Sequence, residues 1–286
     1  LGEVEATLAV MGGAVGFGTI SVVTVLATRD GMPLVLLLLG RYALAGLILL
    51  AMSGGIQRLA VGRARAAQLI IVGGIGQTLV SVLSLAALDY ISAATLEFLF
   101  YTYPAWVALF ARLRGTEPIT PQKMISLGLA LTGVVVMVGM PGSAALNLVG
   151  AGLGLTSALI YAVYVPALGR LQRGIDTGAA TFYICLGVSI VLGIAGWWRG
   201  ELSLSQSLAG WGAIAWLAIV STVIAFHLFL RGLATLGAVR TSIIATVEPF
   251  SVAIIGIFIL DQPITLPVLI GGGLIATAVL LMNYRR

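Results

Sequence analysis

The sequence predicts an all-α membrane protein: ten transmembrane helices forming two inverted five-helix repeats, with both termini cytoplasmic. Three observations carry this. Of the 286 residues, 60% are hydrophobic and 9% are charged, whereas an ordinary soluble domain carries about 25% charged residues. Mean hydropathy is +1.13. That leaves too little polar surface to cover a globule in water, so the solvent must be lipid. The apolar residues fall into runs of membrane-spanning length separated by short gaps. Finally, the chain nearly repeats itself at a spacing of 145 residues: Pro104 precedes Pro118-Ile119-Thr120 as Pro249 precedes Pro263-Ile264-Thr265.

A hydrocarbon core of about 30 Å takes about 20 apolar residues in a helix. Runs of that kind in the first half are Thr7–Thr28, Pro33–Met52, Gln68–Leu88, Ala93–Ala111 and Met124–Met140. In the second half they are Val149–Leu168, Ala179–Trp198, Trp211–Leu230, Thr241–Leu260 and Leu266–Asn283. The runs are continuously apolar rather than alternating, which excludes the strands of a membrane β-barrel. The gaps leave no room for a soluble domain.

Lys and Arg set the orientation. With a cytoplasmic N-terminus, the inner loops and C-terminus hold Arg58, Arg63, Arg65, Arg112, Arg114, Lys123, Arg170, Arg173, Arg231, Arg240, Arg285 and Arg286. The outer loops hold only Arg29 and Arg199. The bias alternates loop by loop, as the positive-inside rule requires of ten spans. Arg41 lies within the second span. The net charge of +5 therefore reads as cytoplasmic loop charge, and nucleic acid is not an expected partner.

The repeat divides the chain into residues 1–142 and 143–286. An odd number of spans per copy turns one copy upside down relative to the other. Inverted repeats are an architecture of secondary transporters, whose binding site lies between the halves near the bilayer midplane. The one cysteine, Cys185, sits in an apolar run and reads as a small core residue. No cofactor or metal site is expected. No basic segment with a small-residue cleavage site opens the sequence, so no signal peptide is expected. Gly128, Gly133 and Gly271-Gly272-Gly273 read as helix-packing residues.

These features resemble the EamA family of the drug/metabolite transporter superfamily over essentially the whole chain. The residues that carry the resemblance are Phe17-Gly18-Thr19, Gly40-Arg41-Tyr42, Ala87-Leu88 through Ala93 to Pro104, Glu248-Pro249, and Asp261-Gln262-Pro263-Ile264-Thr265. Within the family the chain looks most like the YddG-type exporters of aromatic amino acids, through Tyr101-Thr102-Tyr103-Pro104 and Tyr161-Ala162-Val163-Tyr164. It departs from the family pattern at Glu97 and Gln262. The resemblance implies export of small amphipathic metabolites, amino acids included, across the bacterial inner membrane. The partners are then the bilayer and a small-molecule substrate, allowing a monomer.

Polar groups at membrane depth are the candidate site residues, because a central charge costs about 2.5–3.5 kcal/mol on insertion scales. Tyr101 and Tyr103 lie at the middle of the fourth span. Tyr161 and Tyr164 lie at the middle of the sixth, three apart and on one face. Tyrosines gather at membrane interfaces, so four at mid-depth point to an aromatic-lined cavity rather than a belt. The competing reading is tyrosine as interhelical glue. Gln77, Ser81 and Ser84 add a polar stripe on the third span. Glu248, beside Pro249, is a candidate proton carrier or structural hydrogen-bond donor. His227 is an alternative carrier, since imidazole titrates near neutrality. Glu97 reads as a solvated helix end or a cavity residue. Arg41 reads as a substrate clamp, a snorkelling side chain or a partner of Glu97. No nucleotide loop, zinc motif or catalytic dyad is present, so an enzyme is not expected. A channel and an exporter of organic cations remain as alternatives.

Overall fold

The computed structural model of the chain describes residues 2–87, 89–91, 96, 99–116, 118–138, 147–203, 205–251, 255 and 266–283. Among these the protein is helical, without strands. The helices are α1 (Glu3–Arg29), α2 (Leu34–Ser53), α3 (Arg63–Ala87), α4 (Tyr103–Leu113) and α5 (Pro121–Val138). They continue with α6 (Leu148–Leu171), α7 (Thr177–Arg199), α8 (Leu208–Ile244) and α9 (Leu266–Asn283). Six of them, α1, α2, α3, α6, α7 and α8, are long and apolar enough to cross a membrane. Glu97 and the Pro263-Ile264-Thr265 motif lie outside the described residues, as do parts of the fourth and ninth expected spans.

α1, α6, α7 and α8 start earlier than the apolar runs, and polar caps stand at their N-termini. Gly2 donates its N–H to the Glu5 carboxylate at 3.1 Å, and Glu3 and Glu5 sit in the first turn of α1, where the helix dipole favours negative charge. Asn147 Oδ1 accepts from the N–H groups of Val149 and Gly150. Asp176 accepts from Ala179, and the Ser207 hydroxyl from Gly210. Each cap satisfies a donor that the first helical turn leaves open.

The expected loop between the eighth and ninth spans, around residues 231–240, is mostly helical. The chain continues from Leu208 to Ile244, and apart from a π-helical turn it departs from helical geometry at Gly237, at φ 76° and ψ 170°. A side chain would strain that conformation, and the glycine lets the chain turn without a loop.

The helix pairings obey a two-fold exchange. α1 packs on α8, and α3 packs on α6. Exchanging the halves carries the first pair onto the second. α2 on α7 and α5 on α9 are pairs that map onto themselves. Small residues allow the closest crossings, as in other membrane helix pairs. A Cβ on Gly74 would lie 2.6 Å from the Gly187 backbone, and one on Gly133 would lie 2.7 Å from the Gly271 carbonyl. Gly128 and Gly273 have open space around them and do not serve this purpose.

Among the described residues the regular helical structure is broken at four places. Leu69–Gly74 in α3 and Ile219–Ile224 in α8 are π-helical turns. Turns at Tyr101-Thr102 and Ala245-Thr246 precede Pro104 and Pro249. Proline lacks an N–H and cannot bond the carbonyl one turn back. A threonine hydroxyl intervenes at both proline breaks: Thr102 donates to the Leu99 carbonyl and Thr246 to the Ile243 carbonyl, each at 2.6 Å.

Gly187→Ala tests the α3–α7 crossing. The added methyl meets backbone, which cannot rotate away, so the variant should lose about 1–3 kcal/mol and unfold at lower temperature in detergent. Unchanged thermal stability would mean that the two helices are not in contact there.

Candidate functional site

The four interruptions surround a cavity of about 190 Å³. α1 contributes Phe17, Ile20, Thr24 and Val25 to its wall, and α2 contributes Leu38, Arg41 and Tyr42. Gln77, Val80, Ser81, Ser84 and Leu85 come from α3, directly after its π turn. Thr222 and Phe226 come from α8, in and just after the second π turn. Tyr161 projects from α6, Phe100 precedes Pro104, and Glu248 precedes Pro249. The wall is mostly apolar and aromatic, with a few polar groups, which is the usual make-up of a small-molecule site.

Arg41 is neither snorkelling nor at a wet surface. It is 5% exposed. Its Nε donates to Thr222 Oγ1 at 2.7 Å and its Nη2 to the Ser221 carbonyl at 3.2 Å. The guanidinium thus docks on the π turn of α8, whose backbone carbonyls are open to outside donors. Its Cζ lies 4.8 Å from the Tyr42 ring centroid, within cation–π range. The Tyr42 hydroxyl in turn accepts from Gln77 Nε2 at 3.0 Å. Gln77 Oε1 has no partner among the described residues. A hydrogen bond of 2.6 Å between Ser84 and Ser157 ties α3 to α6.

Of the four tyrosines expected on the wall, Tyr161 alone reaches it. Tyr101, Tyr103 and Tyr164 are 1%, 2% and 4% exposed and stand behind it. They form a ring stack with the wall residues: Phe100 is 5.4 Å from Tyr161, Tyr103 is 4.8 Å from Tyr161, and Tyr161 is 6.2 Å from Tyr164. Two of the buried hydroxyls bind backbone carbonyls across helices. Tyr164 donates to Gly73 in the π turn of α3 at 3.1 Å, and Tyr103 to Ser242 at 3.4 Å. These two are glue, and the physical reason is that a carbonyl freed in hydrocarbon needs a donor. Gln77, Ser81 and Glu248 line the cavity. His227 is half-buried on α8 and does not line it.

Phe17, Tyr42, Phe100, Thr222 and Phe226 were not singled out as site residues in the sequence. Phe17 and Tyr42 lie in the first- and second-span motifs, and mid-span depth was the available signal. Nothing in the sequence distinguishes Phe100 and Phe226 from core phenylalanines.

A second cavity, of about 290 Å³, lies further along the same helices. Phe110 and Arg114 line it from α4, Pro166 and Arg170 from α6, and Leu233 and Gly237 from α8, with Arg173 beyond α6. Between the two cavities each helix presents buried residues: Tyr103 and Val107, Tyr164 and Val165, Phe229 and Leu230. A packed layer therefore separates two openings.

With this arrangement in view, comparison with known proteins is informative. The EamA-like transporter family matches the chain twice, over residues 5–139 and 148–284. The chain belongs to that family. It is similar to the uncharacterized inner membrane transporter YicL of Salmonella typhimurium, with 29% identity over 250 residues covering 85% of this chain and 83% of that protein. An uncharacterized transporter of Archaeoglobus fulgidus is 26% identical over 197 residues, 69% of each chain. The uncharacterized transporter YcbK of Bacillus subtilis is 24% identical over 216 residues, covering 71% of this chain and 68% of that one. A solved structure titled "Crystal structure of protein" shares the fold at TM-score 0.79 and 19% identity, covering 97% of this chain and 96% of that one. This EamA chain is thus a multi-pass membrane transporter with a duplicated domain.

Two substitutions separate the wall from the layer behind it. Tyr161→Ala should weaken transport of the solute that occupies the cavity, measured in proteoliposomes, with little loss of stability, because its ring borders open space. Tyr101→Ala empties a filled core position and should cost about 3–5 kcal/mol, seen as a lower unfolding temperature. The reverse pattern would put the site behind Tyr101.

Proposed function

We propose that the protein is a secondary transporter that exports small amphipathic metabolites, amino acids including aromatic ones, by alternating access. The observation that carries this reading is the cavity itself. It is ringed by interrupted helices from both halves, aromatic in the wall, and furnished with one cation, Arg41, and one carboxylate, Glu248. Interrupted helices near mid-depth are how transporters present backbone and side-chain polarity to a substrate without exposing it to lipid. The two-fold helix pairing supports two inverted five-helix halves, 1–142 and 143–286, that rock against each other. The packed layer between the two cavities is then the closed gate of one state. The aromatic wall, Phe100 and Tyr161 above all, supports the YddG-type reading. The second reading is export of organic cations, which Glu248 would favour. Arg41 in the same wall argues against it, because a cation would meet like charge.

Counterflow of radiolabelled amino acids and organic cations in proteoliposomes tests the substrate class. An aromatic amino acid should exchange with saturable kinetics. Exchange of cations alone would move the assignment to the second reading, and non-saturable flux would make the protein a channel.

Glu248 is proposed as the coupling group, carrying a proton when access alternates. Glu248→Gln keeps the shape of the side chain but cannot titrate. It should keep a measurable but weaker counterflow and lose accumulation driven by a pH gradient. If the wild-type protein ignores the gradient, the protein is a facilitator and Glu248 is structural.

Ten spans with cytoplasmic termini, in an inner membrane, predict opposite accessibility for two exposed positions. Gly62→Cys and Ser205→Cys should react with an impermeant thiol reagent from opposite sides, Gly62→Cys from the cytoplasm. Cys185 is fully buried and stays silent. Labelling of both from one side would sink the topology.

A further inference from the structure

We infer that Arg41 is the receptor for a substrate carboxylate and that the transported solutes are zwitterions held between Arg41 and Glu248. This rests on the exporter reading above and assigns the two residues that hold the charges of its substrate. The argument begins from what Arg41 does not need to be. Its protein partners, the Ser221 carbonyl and Thr222 Oγ1, are ordinary neutral acceptors. The other π turn poses the same problem, a freed carbonyl at Gly73, and a neutral phenol, Tyr164, solves it. A charge is therefore surplus to the structural task, yet it is kept 5% exposed inside the bundle, where charge is costly. Arg41 makes no ion pair among the described residues, and its Nη1 has no protein acceptor there. Meanwhile Nε and Nη2 are anchored, and the Tyr42 ring supports the guanidinium. The result is a planar fork, fixed on one edge and presenting its remaining donors beside an open cavity. That is the geometry that binds a carboxylate at two points.

Glu248 stands in the wall of the same cavity, which Phe100 and Tyr161 also line. An α-amino acid with a ring matches all three features: carboxylate on Arg41, ammonium toward Glu248, side chain against Phe100 and Tyr161. Thr222 is a positioning residue, since it acts on the substrate only through Arg41.

Binding of three probes to the purified full-length protein, followed by titration calorimetry, tests this. The probes are L-phenylalanine, phenethylamine, which lacks the carboxylate, and 3-phenylpropanoate, which lacks the ammonium. Wild type should bind each deletion probe at least about tenfold more weakly than phenylalanine, a typical loss for one charged hydrogen-bonded contact. Arg41→Gln is the direct variant, but the wild-type series needs no variant to fold. Thr222→Val keeps side-chain shape and frees Arg41 Nε. It should weaken phenylalanine and 3-phenylpropanoate together and leave phenethylamine unchanged, a split that general loosening of the helix would not produce. Phenethylamine binding as tightly as phenylalanine overturns the inference and leaves the transporter reading intact. So does counterflow of some other solute when none of the three probes binds. If no solute in the counterflow panel is transported, the exporter reading itself falls and this inference falls with it.

Discussion

The fold depends on one constraint: no backbone polar group in hydrocarbon can be left without a partner. A regular helix meets it by itself. Among the described residues this chain breaks its regular helical structure at four places, two π turns and two prolines, and each interruption creates a local debt that its surroundings settle. Beside the proline breaks the hydroxyls of Thr102 and Thr246 bond the Leu99 and Ile243 carbonyls, and the Ala245 carbonyl that Pro249 leaves open accepts the Glu248 N–H at 2.9 Å. The π turns use donors from the opposite half, Tyr164 for Gly73 and Arg41 for Ser221. Polar side chains are thereby drawn to the middle of the bundle. The cavity forms where they gather, since interrupted backbone and polar side chains cannot be filled over by apolar packing alone.

The same bonds bear on movement. The cross-half donors lie at the level of the cavity, and the small-residue crossings of α3 on α7 and α5 on α9 lie outside it. Crossings in which backbone meets backbone cannot slide without steric clash, so they behave as rigid units. Single hydrogen bonds such as Tyr103 to the Ser242 carbonyl, at 3.4 Å, are weaker and can exchange for water. Gly237, in a backbone conformation that favours glycine, sits at the kink within α8 and borders the second cavity.

Much of this was legible in the sequence for a simple reason: lipid imposes a composition rule that soluble solvent does not. Runs such as Pro33–Met52 and Ala179–Trp198 can be read as spans because few charges interrupt them. The paired Pro104 and Pro249 marked the broken helices. Gln77, Ser81, Tyr161 and Glu248 were legible as polar groups at forbidden depth, and they line the cavity. Rotation about the helix axis was not legible. Tyr161 and Tyr164 share a face, yet one borders the cavity and the other reaches back to Gly73. Periodicity could not separate them, because a π turn shifts the register of α3 by one residue and no residue type announces it. The protein partners of Arg41 were hidden for a related reason. Distance from the end of an apolar run measures depth but not direction, and its partner, the π turn of α8, lies 180 residues away in sequence.

The character of the wall bears on selectivity. An apolar pocket discriminates weakly between ligands that differ by a methylene, at about 1–3 kcal/mol. A buried polar group rejects a ligand that leaves it unpaired far more strongly. Here the polar groups are few and sit at fixed points: Arg41 on the π turn, Gln77 against Tyr42, Glu248 before Pro249. The remainder is phenylalanine, tyrosine and aliphatic side chains. On the exporter reading proposed above, such a wall would be strict about the charged part of a solute and permissive about its side chain. Broad recognition within one chemical class then follows from the same constraint that built the cavity, because the polar groups that enforce the class are the ones the interrupted helices had to recruit.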